Sequence, residues 1–135
     1  MSERPASPFD DLIGTEWGEM GAERATGTLT VEDRHKQIAG VVHGGVFCTL
    51  AESITSEATA GKIQGDGNVS LGMSNQTTFL RPVTGGSIHV RARRLHGGRT
   101  TWVWDVECRD DEDRLCAVSR VTIAVRPRRA SKQAG

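Results

Sequence analysis

Apolar residues in the middle of the chain recur at the spacing of one helix face. Between residues 46 and 60 the sequence holds no proline and no glycine, and its apolar positions form one broad stripe: Val46, Phe47, Leu50, Ala51, Ile54 and Ala58. Gly44 and Gly45 precede this segment, and Gly61 follows it. The pattern predicts one long helix that starts after the glycine pair and stops at Gly61.

On both sides of this helix, β-branched and apolar residues alternate with polar ones, which is typical of strands. Two strands are predicted before the helix, at residues 16–20 and 24–31, and four after it, at 69–80, 87–95, 100–108 and 115–125. Short turns at Gly97-Gly98 and at the acidic run 110–113 make the later strands antiparallel neighbours. The predicted fold class is therefore α+β, with one long helix packed on one face of a curled antiparallel sheet.

Length and charge narrow the class of protein. A chain of 135 residues predicts a single domain, here residues 9–130, with an N-terminal arm at 1–8 and a tail at 131–135. The 17 basic and 17 acidic side chains cancel, which disfavours a nucleic-acid-binding protein. No apolar run approaches the roughly 18–20 residues that span a bilayer, and the N-terminus lacks the apolar core of a signal peptide. We expect a cytoplasmic protein that binds neither nucleic acid nor membrane.

Common catalytic motifs and metal-binding patterns are missing from the sequence. It contains no GxSxG, Walker A, GxGxxG or HExxH motif, and its four histidines are not spaced as a metal cluster. Cys48, Cys108 and Cys116 are odd in number and lack CxxC spacing, so we interpret them as small buried apolar residues. Trp102 and Trp104, two residues apart on one strand, favour core or interface packing. No cofactor is expected.

The glycine pair before the helix has two interpretations. Glycines that open a helix leave backbone N–H groups unpaired at the positive end of the helix dipole, which is the chemistry of an oxyanion hole. Gly44 and Gly45, next to His43, are candidates for this role. The pair is also consistent with a tight turn that has no further function.

Glu52 is a carboxylate in the middle of a mostly apolar helix. Thr49 and Ser56 lie at i−3 and i+4, so a polar stripe runs along one side of the helix. The stripe indicates either a catalytic carboxylate or a solvated residue. Gly44 and Glu52 are eight residues apart, about 12 Å along a helix, so both cannot touch one carbonyl group within a subunit. If the site is real, two antiparallel copies of the helix must supply it, and a dimer is required.

Several segments together resemble the hot-dog-fold acyl-CoA thioesterases, and most closely the glutamate-dependent branch of the 4-hydroxybenzoyl-CoA thioesterases. They are His43-Gly44-Gly45, Leu50-Ala51-Glu52, Glu57-Ala58-Thr59, Phe79-Leu80-Arg81-Pro82-Val83, the tryptophan-containing strand 100–106 and Arg126-Pro127-Arg128-Arg129. The resemblance covers residues 9–130. It implies a hot-dog fold, in which one long central helix is wrapped by a curved antiparallel sheet of five to six strands.

The resemblance also implies roles for individual residues. Glu52 matches the family's catalytic carboxylate, and the Gly44 N–H matches the oxyanion donor. Gln37 matches an amide that positions or polarises the thioester, and His43 matches a supporting residue. Ser56 keeps a hydroxyl where the branch has a threonine. The remaining matches are to residues that contact the nucleotide and phosphates of coenzyme A: Arg81, Thr100, Arg128 and Arg129, with Arg99 at a position where the branch has a serine.

These roles imply hydrolysis of an acyl-CoA, with 4-hydroxybenzoyl-CoA as the first candidate substrate and aromatic degradation as the setting. Glu52 would act as a nucleophile or as a general base toward water. The resemblance further implies a homotetramer built from two dimers. Two alternatives stay open: a non-catalytic hot-dog module that binds acyl-CoA, and a hot-dog hydratase or dehydratase, for which His43 is the candidate histidine.

Overall fold

The computed structural model describes residues 7–129, which form a long helix, a short one and a six-stranded sheet. In chain order the elements are α1 (Pro8–Ile13), β1 (Glu16–Met20), β2 (Arg24–Thr30), α2 (Gly44–Ile63), β3 (Asn68–Phe79), β4 (Ser87–Gly97), β5 (Thr101–Arg109) and β6 (Leu115–Pro127). Short 3₁₀ turns lie at Asp33–His35 and Gln64–Asp66.

All six strands belong to one antiparallel sheet in the order β1-β2-β4-β5-β6-β3. The strands β4, β5 and β6 follow one another as hairpins, as the turn residues predict. β3 follows the long helix in sequence but pairs with β6, at the far edge of the sheet. This confirms the predicted α+β hot-dog arrangement, and the sheet has six strands where five to six were expected.

The core lies between α2 and the concave face of the sheet. The helix buries the predicted apolar stripe, and the inward positions of β2, β4, β5 and β6 cover it. Trp102 and Trp104 both face inward, 5% and 0% exposed, and Trp104 Nε1 donates to Thr59 Oγ1 at 3.0 Å. The interpretation of both tryptophans as packing residues is confirmed, because both indole rings belong to the buried apolar core.

The predicted end of α2 is wrong. The helix does not stop at Gly61 but continues to Ile63, whose side chain is buried at 4% exposure and fastens the last turn to the core. Tertiary packing therefore outweighs the low helix propensity of one glycine. The chain leaves the helix through a 3₁₀ turn and reverses at Gly67, which has a φ of +74°.

A short helix near the N-terminus is not predicted by the sequence pattern. α1 has Ser7 as its N-cap, and it is held by the 3₁₀ turn before the glycine pair: Arg34 donates to the carbonyls of Leu12 and Ile13, and the His35 ring contacts Ile13 O at 2.7 Å. The predicted arm at 1–8 and tail at 131–135 lie largely outside the described residues, which begin at Ser7 and end at Arg129.

Candidate active site

Within the described residues, the first turn of α2 presents one backbone N–H that has no acceptor. His43 is the N-cap, and its ring Nδ1 accepts the Gly45 N–H at 2.8 Å. The Val46 N–H donates to the His43 carbonyl oxygen at 2.9 Å. Gly44 is left as the first helical residue, and its N–H meets no acceptor within residues 7–129. An N–H here lies at the positive end of a 20-residue helix, where an anionic oxygen is stabilised.

Gln37 lies in the turn just before this helix start, and its side-chain amide is oriented. Its Oε1 accepts the backbone N–H of Ala39, while its own backbone N–H donates to Val41 O at 2.8 Å. Gly40, with a φ of +84°, closes this tight loop. Because the amide oxygen is occupied within the loop, the amide nitrogen is the group left to donate to a ligand.

A buried histidine ties this region together. His35 is 3% exposed; its Nδ1 accepts the Glu32 N–H at 2.9 Å, so Nε2 carries the proton that is donated to Ile13 O. Its backbone carbonyl accepts the His43 N–H at 2.9 Å. One residue thus connects α1 and the 3₁₀ turn through its side chain and the N-cap of α2 through its backbone carbonyl. In sequence His35 is a histidine in a polar loop, and nothing local reveals this role.

Glu52 is exposed in the single subunit, in contrast to the buried carboxylate that an apolar helix suggests. Its carboxylate lies against Gly72 of β3: a methyl group added to Gly72 would be 2.7 Å from Oε2 and 3.2 Å from Cδ. Ser56 is half-buried, one turn further along the same helix face. Thr49, at i−3, uses its hydroxyl to bond Gly45 O at 2.9 Å.

Two side chains of β3 contact the same helix face and are not distinguished by the sequence pattern. Asn75 Nδ2 donates to Cys48 O at 2.9 Å, which fixes the strand against the helix. The Phe79 ring lies beside Gly44, within 2.9 Å of where a Gly44 methyl would be, and is 55% exposed. An exposed aromatic ring thus flanks the unpaired N–H. Both contacts join residues about 30 positions apart, so local periodicity carries no signal for them.

The predicted coenzyme A residues form two separate groups in one subunit. Arg81 follows β3, where its N–H donates to Cys116 O at the start of β6. Thr100 lies by the other end of β6, where its carbonyl oxygen accepts the Val125 N–H. Cys116 and Val125 are nine residues apart, about 30 Å along a strand.

Arg99 adjoins Thr100, and Arg128 and Arg129 lie at the same end of the sheet, where Arg128 N donates to Gly67 O at 2.8 Å. All four predicted arginines are exposed, and none forms an ion pair with another described residue. Arg126, which the sequence did not single out, also donates to Thr100 O at 2.6 Å.

A groove of about 790 Å³ lies on the outer face of the sheet and does not include Glu52 or Gly44. It is lined by charged side chains of the middle strands, among them Arg24, Arg93 and Asp105. No group of three or more His, Cys, Asp or Glu within residues 7–129 is placed to hold a metal ion. None of the described helices is long and apolar enough to cross a membrane.

Known proteins resemble this chain in sequence and in structure along most of its length. Residues 39–117 match the family model described as the Thioesterase superfamily. The chain is 37% identical over 118 residues to a Mycobacterium tuberculosis protein named "Putative esterase Rv1847", covering 86% of this chain and 84% of that protein. The solved structure of that protein superposes with a TM-score of 0.87 and 35% identity, over 92% of this chain and all (100%) of that one.

Two further relatives carry more specific names. The 1,4-dihydroxy-2-naphthoyl-CoA hydrolase of Listeria monocytogenes is 31% identical over 121 residues, which cover 90% of this chain and 98% of that protein. The crystal structure of thioesterase HI1161 from Haemophilus influenzae superposes with a TM-score of 0.84 at 33% identity, over 93% of this chain and 87% of that one.

Proposed function

The chain belongs to the thioesterase superfamily, and on that premise we propose that it hydrolyses an aromatic acyl-CoA to the free acid and coenzyme A. The family assigns the reaction class: the protein is a thioesterase. The observation that carries the proposed hydrolytic site is the unpaired Gly44 N–H, which shares a helix face with the exposed carboxylate of Glu52.

In the proposed reaction the thioester oxygen accepts hydrogen bonds from the Gly44 N–H and from the side-chain amide of Gln37. Both donors are in place before substrate binds, which is the condition for strong stabilisation of a developing oxyanion. His43 supports this site by occupying the Gly45 N–H, so that the first helical turn holds its shape.

Glu52 then acts in one of two ways. As a nucleophile, a carboxylate oxygen bonds to the carbonyl carbon, the carbon–sulfur bond breaks, and water hydrolyses the resulting anhydride. As a general base, Glu52 takes a proton from the water that attacks, and the proton passes to the departing thiolate. In this route the Ser56 hydroxyl, one turn away on the same helix, holds that water. Single turnover in ¹⁸O-labelled water tests the nucleophilic route, because only that route can place the label in Glu52, when water attacks the Glu52 carbonyl of the anhydride.

We propose that the site is shared between two subunits. In the described chain, β3 pairs with β6 along one edge, and no described strand pairs with its other edge. If two β3 edges pair about a two-fold axis near Asn75, Gly72 of one subunit lies opposite Phe79 of the other. Glu52 of one subunit then meets Gly44 of its partner, which the separation of about 12 Å along one helix forbids within a subunit.

The same pairing unites the predicted coenzyme A residues. Arg81 lies beyond one end of β3, whereas Gly67, which holds Arg128, lies beyond the other. Antiparallel pairing brings these ends together from opposite subunits, so Arg81 of one joins Arg99, Thr100, Arg128 and Arg129 of its partner. A concentration of unpaired guanidinium groups suits the phosphates of coenzyme A. A dimer is required, and a tetramer of two dimers follows the family pattern. Coenzyme A thioesters also fit a cytoplasmic setting.

The aromatic acyl group rests on two observations. Phe79 presents an exposed ring beside the Gly44 N–H, where it can pack against a planar acyl group. A relative that covers nearly the same length is named as a hydrolase of 1,4-dihydroxy-2-naphthoyl-CoA. We propose 4-hydroxybenzoyl-CoA or a related aromatic thioester as the substrate.

Thiol release from a panel of thioesters tests the proposed function. The panel holds 4-hydroxybenzoyl-, benzoyl-, phenylacetyl- and 1,4-dihydroxy-2-naphthoyl-CoA with short and long aliphatic acyl-CoAs. Aromatic thioesters should react fastest, and Glu52→Gln should lower kcat by about 10²–10⁴-fold, the usual value of a lost general base. Glu16→Gln makes the same chemical change on the opposite edge strand and should leave kcat unchanged.

Other outcomes would change the proposal. If Glu52→Gln keeps full activity, Glu52 is not catalytic. If the folded wild-type protein releases thiol from no thioester but binds one, the protein is an acyl-CoA-binding module instead. Preference for aliphatic thioesters would retain the reaction and reject the aromatic acyl group.

A further inference from the structure

One face of α2 lies along β3, with the two elements running in opposite directions. Gly44 meets Phe79, Cys48 O accepts from Asn75, and Glu52 lies against Gly72. The helix residues are spaced by four, as residues on one face are. The strand residues Phe79 and Asn75 are separated by an even number of positions, as residues on one side of a strand are. Gly72 does not follow this alternation.

A β-bulge accounts for the exception. Ser74 pairs with Thr122 and Gly72 pairs with Ile123, so Met73 is an extra residue without a partner in β6. If the ladder continued regularly from Ser74, Met73 would take the position opposite Ile123 and face the helix. Instead Met73 is 60% exposed, and a glycine occupies the inward position below Glu52.

Glycine is needed at this position for space rather than for backbone conformation. Gly72 has an ordinary strand φ, since the positive φ values fall at other glycines. A methyl group on it would come within 2.7 Å of Glu52 Oε2 and 3.1 Å of Oε1, so the carboxylate would have to move. Glycine within a strand often marks such a close approach.

We propose that Gly72, placed by the bulge at Met73, is a positioning residue for the Glu52 carboxylate. Because Gly72 has no side chain, the Glu52 carboxylate lies directly against the β3 backbone, which fixes its position and orientation. A misplacement of about 1 Å at a reacting group can reduce the rate about 100-fold. This inference rests on the proposed catalytic role of Glu52.

The test compares Gly72→Ala with Gly85→Ala, which adds the same methyl group where nothing lies within 4 Å. Gly72→Ala should lower kcat by about 10–100-fold and leave KM nearly unchanged, because the coenzyme A contacts lie elsewhere. Gly85→Ala should keep both constants. Circular dichroism and sedimentation of each variant establish folding and assembly, because β3 is also the proposed dimer edge.

A double-mutant cycle shows whether Gly72 acts through Glu52. The carboxylate of Glu52→Asp is one methylene shorter and leaves room for the added methyl group, so Gly72→Ala should reduce kcat less in that background. An equal reduction in both backgrounds would overturn the proposal, as would an unchanged kcat for Gly72→Ala. Failure of Gly72→Ala to fold or assemble in either background would assign Gly72 a structural role and also overturn it. Failure of the proposed catalytic role of Glu52 is a distinguishable result, because it would appear as full activity of the Glu52→Gln variant.

Discussion

At the residue scale, the donors of the candidate site lie beside groups that already have hydrogen-bond partners. His43 occupies the Gly45 N–H, and the loop backbone occupies the Gln37 amide oxygen. These bonds leave the Gly44 N–H and the Gln37 amide nitrogen as donors. Hydrogen bonds made before substrate arrives need no reorganisation during the reaction, which is why preorganised donors stabilise an oxyanion well.

The buried cysteines illustrate the opposite case, in which the environment suppresses reactivity. Burial raises the pKa of the Cys108 thiol to about 12, and the nearby Cys116 and Cys48 add to the effect. Burial likewise raises the pKa of Cys116. Cys48 is half-buried, so the interpretation of all three cysteines as buried holds for two of them.

Thiol labelling checks this difference. The thiolate is the reactive form, and a pKa raised to about 12 leaves Cys108 almost wholly protonated at pH 8. We expect iodoacetamide at pH 8 to leave Cys108 and Cys116 unmodified in the native protein and to modify all three cysteines in denaturant. Peptide mapping by mass spectrometry reads out each position, and native labelling of Cys108 as fast as in denaturant would contradict the burial argument.

At the scale of single elements, α2 shows that packing extends a helix beyond its local signals. Gly61 marks a stop by propensity, yet Ile63 is 4% exposed and keeps the last turn on the core. Gly61 itself is exposed, and no atom lies within 4 Å of the position that a side chain would take. The glycine therefore costs stability without any packing or conformational benefit to the folded chain.

Gly61→Ala should stabilise the protein. Alanine is favoured over glycine in a helix interior by about 0.5–1 kcal/mol, because the unfolded glycine chain has more freedom to lose. We expect the urea midpoint to rise by the corresponding amount with an unchanged m-value. An unchanged or lower midpoint would show that the helix does not pass through Gly61 in solution.

At the scale of the whole molecule, the residues of the proposed site lie too far apart in one subunit to act on one carbonyl group. Gly44 with Gln37 lies at one end of β3, and Glu52 lies two turns along the helix. The exposed arginines are divided between both ends of the sheet. In the proposed dimer, a two-fold pairing of β3 joins each half with its complement from the partner.

Complementation between inactive variants tests the shared site. Glu52→Ala and Gln37→Ala damage opposite halves, so a mixed dimer holds one intact site and one doubly damaged site. Random pairing makes half of the dimers mixed, and we expect about one quarter of wild-type activity after co-refolding. The separately refolded variants, mixed without exchange, are the control. Recovery no higher than that control would place Glu52 and Gln37 in the same subunit's site.

Much of this protein could be predicted from local sequence, because periodicity and helix-start chemistry are properties of neighbouring residues. The strand segments, the apolar stripe of α2 and the candidates Gly44 and Glu52 follow from spacings of a few residues, whereas the role expected of Gln37 is implied by the family resemblance. The end of α2 and the existence of α1 do not, since both depend on contacts with distant residues.

The tertiary structure alone decided which strand lies beside Glu52 and which residue faces it. β3 joins the sheet next to β6, and the bulge at Met73 turns Gly72 inward. The same pairing places Arg81 far from Arg129 within one subunit. Sequence reading cannot supply these facts, because strand order and register are set by the packing of the whole sheet, and a single inserted residue reverses which side chains face the helix.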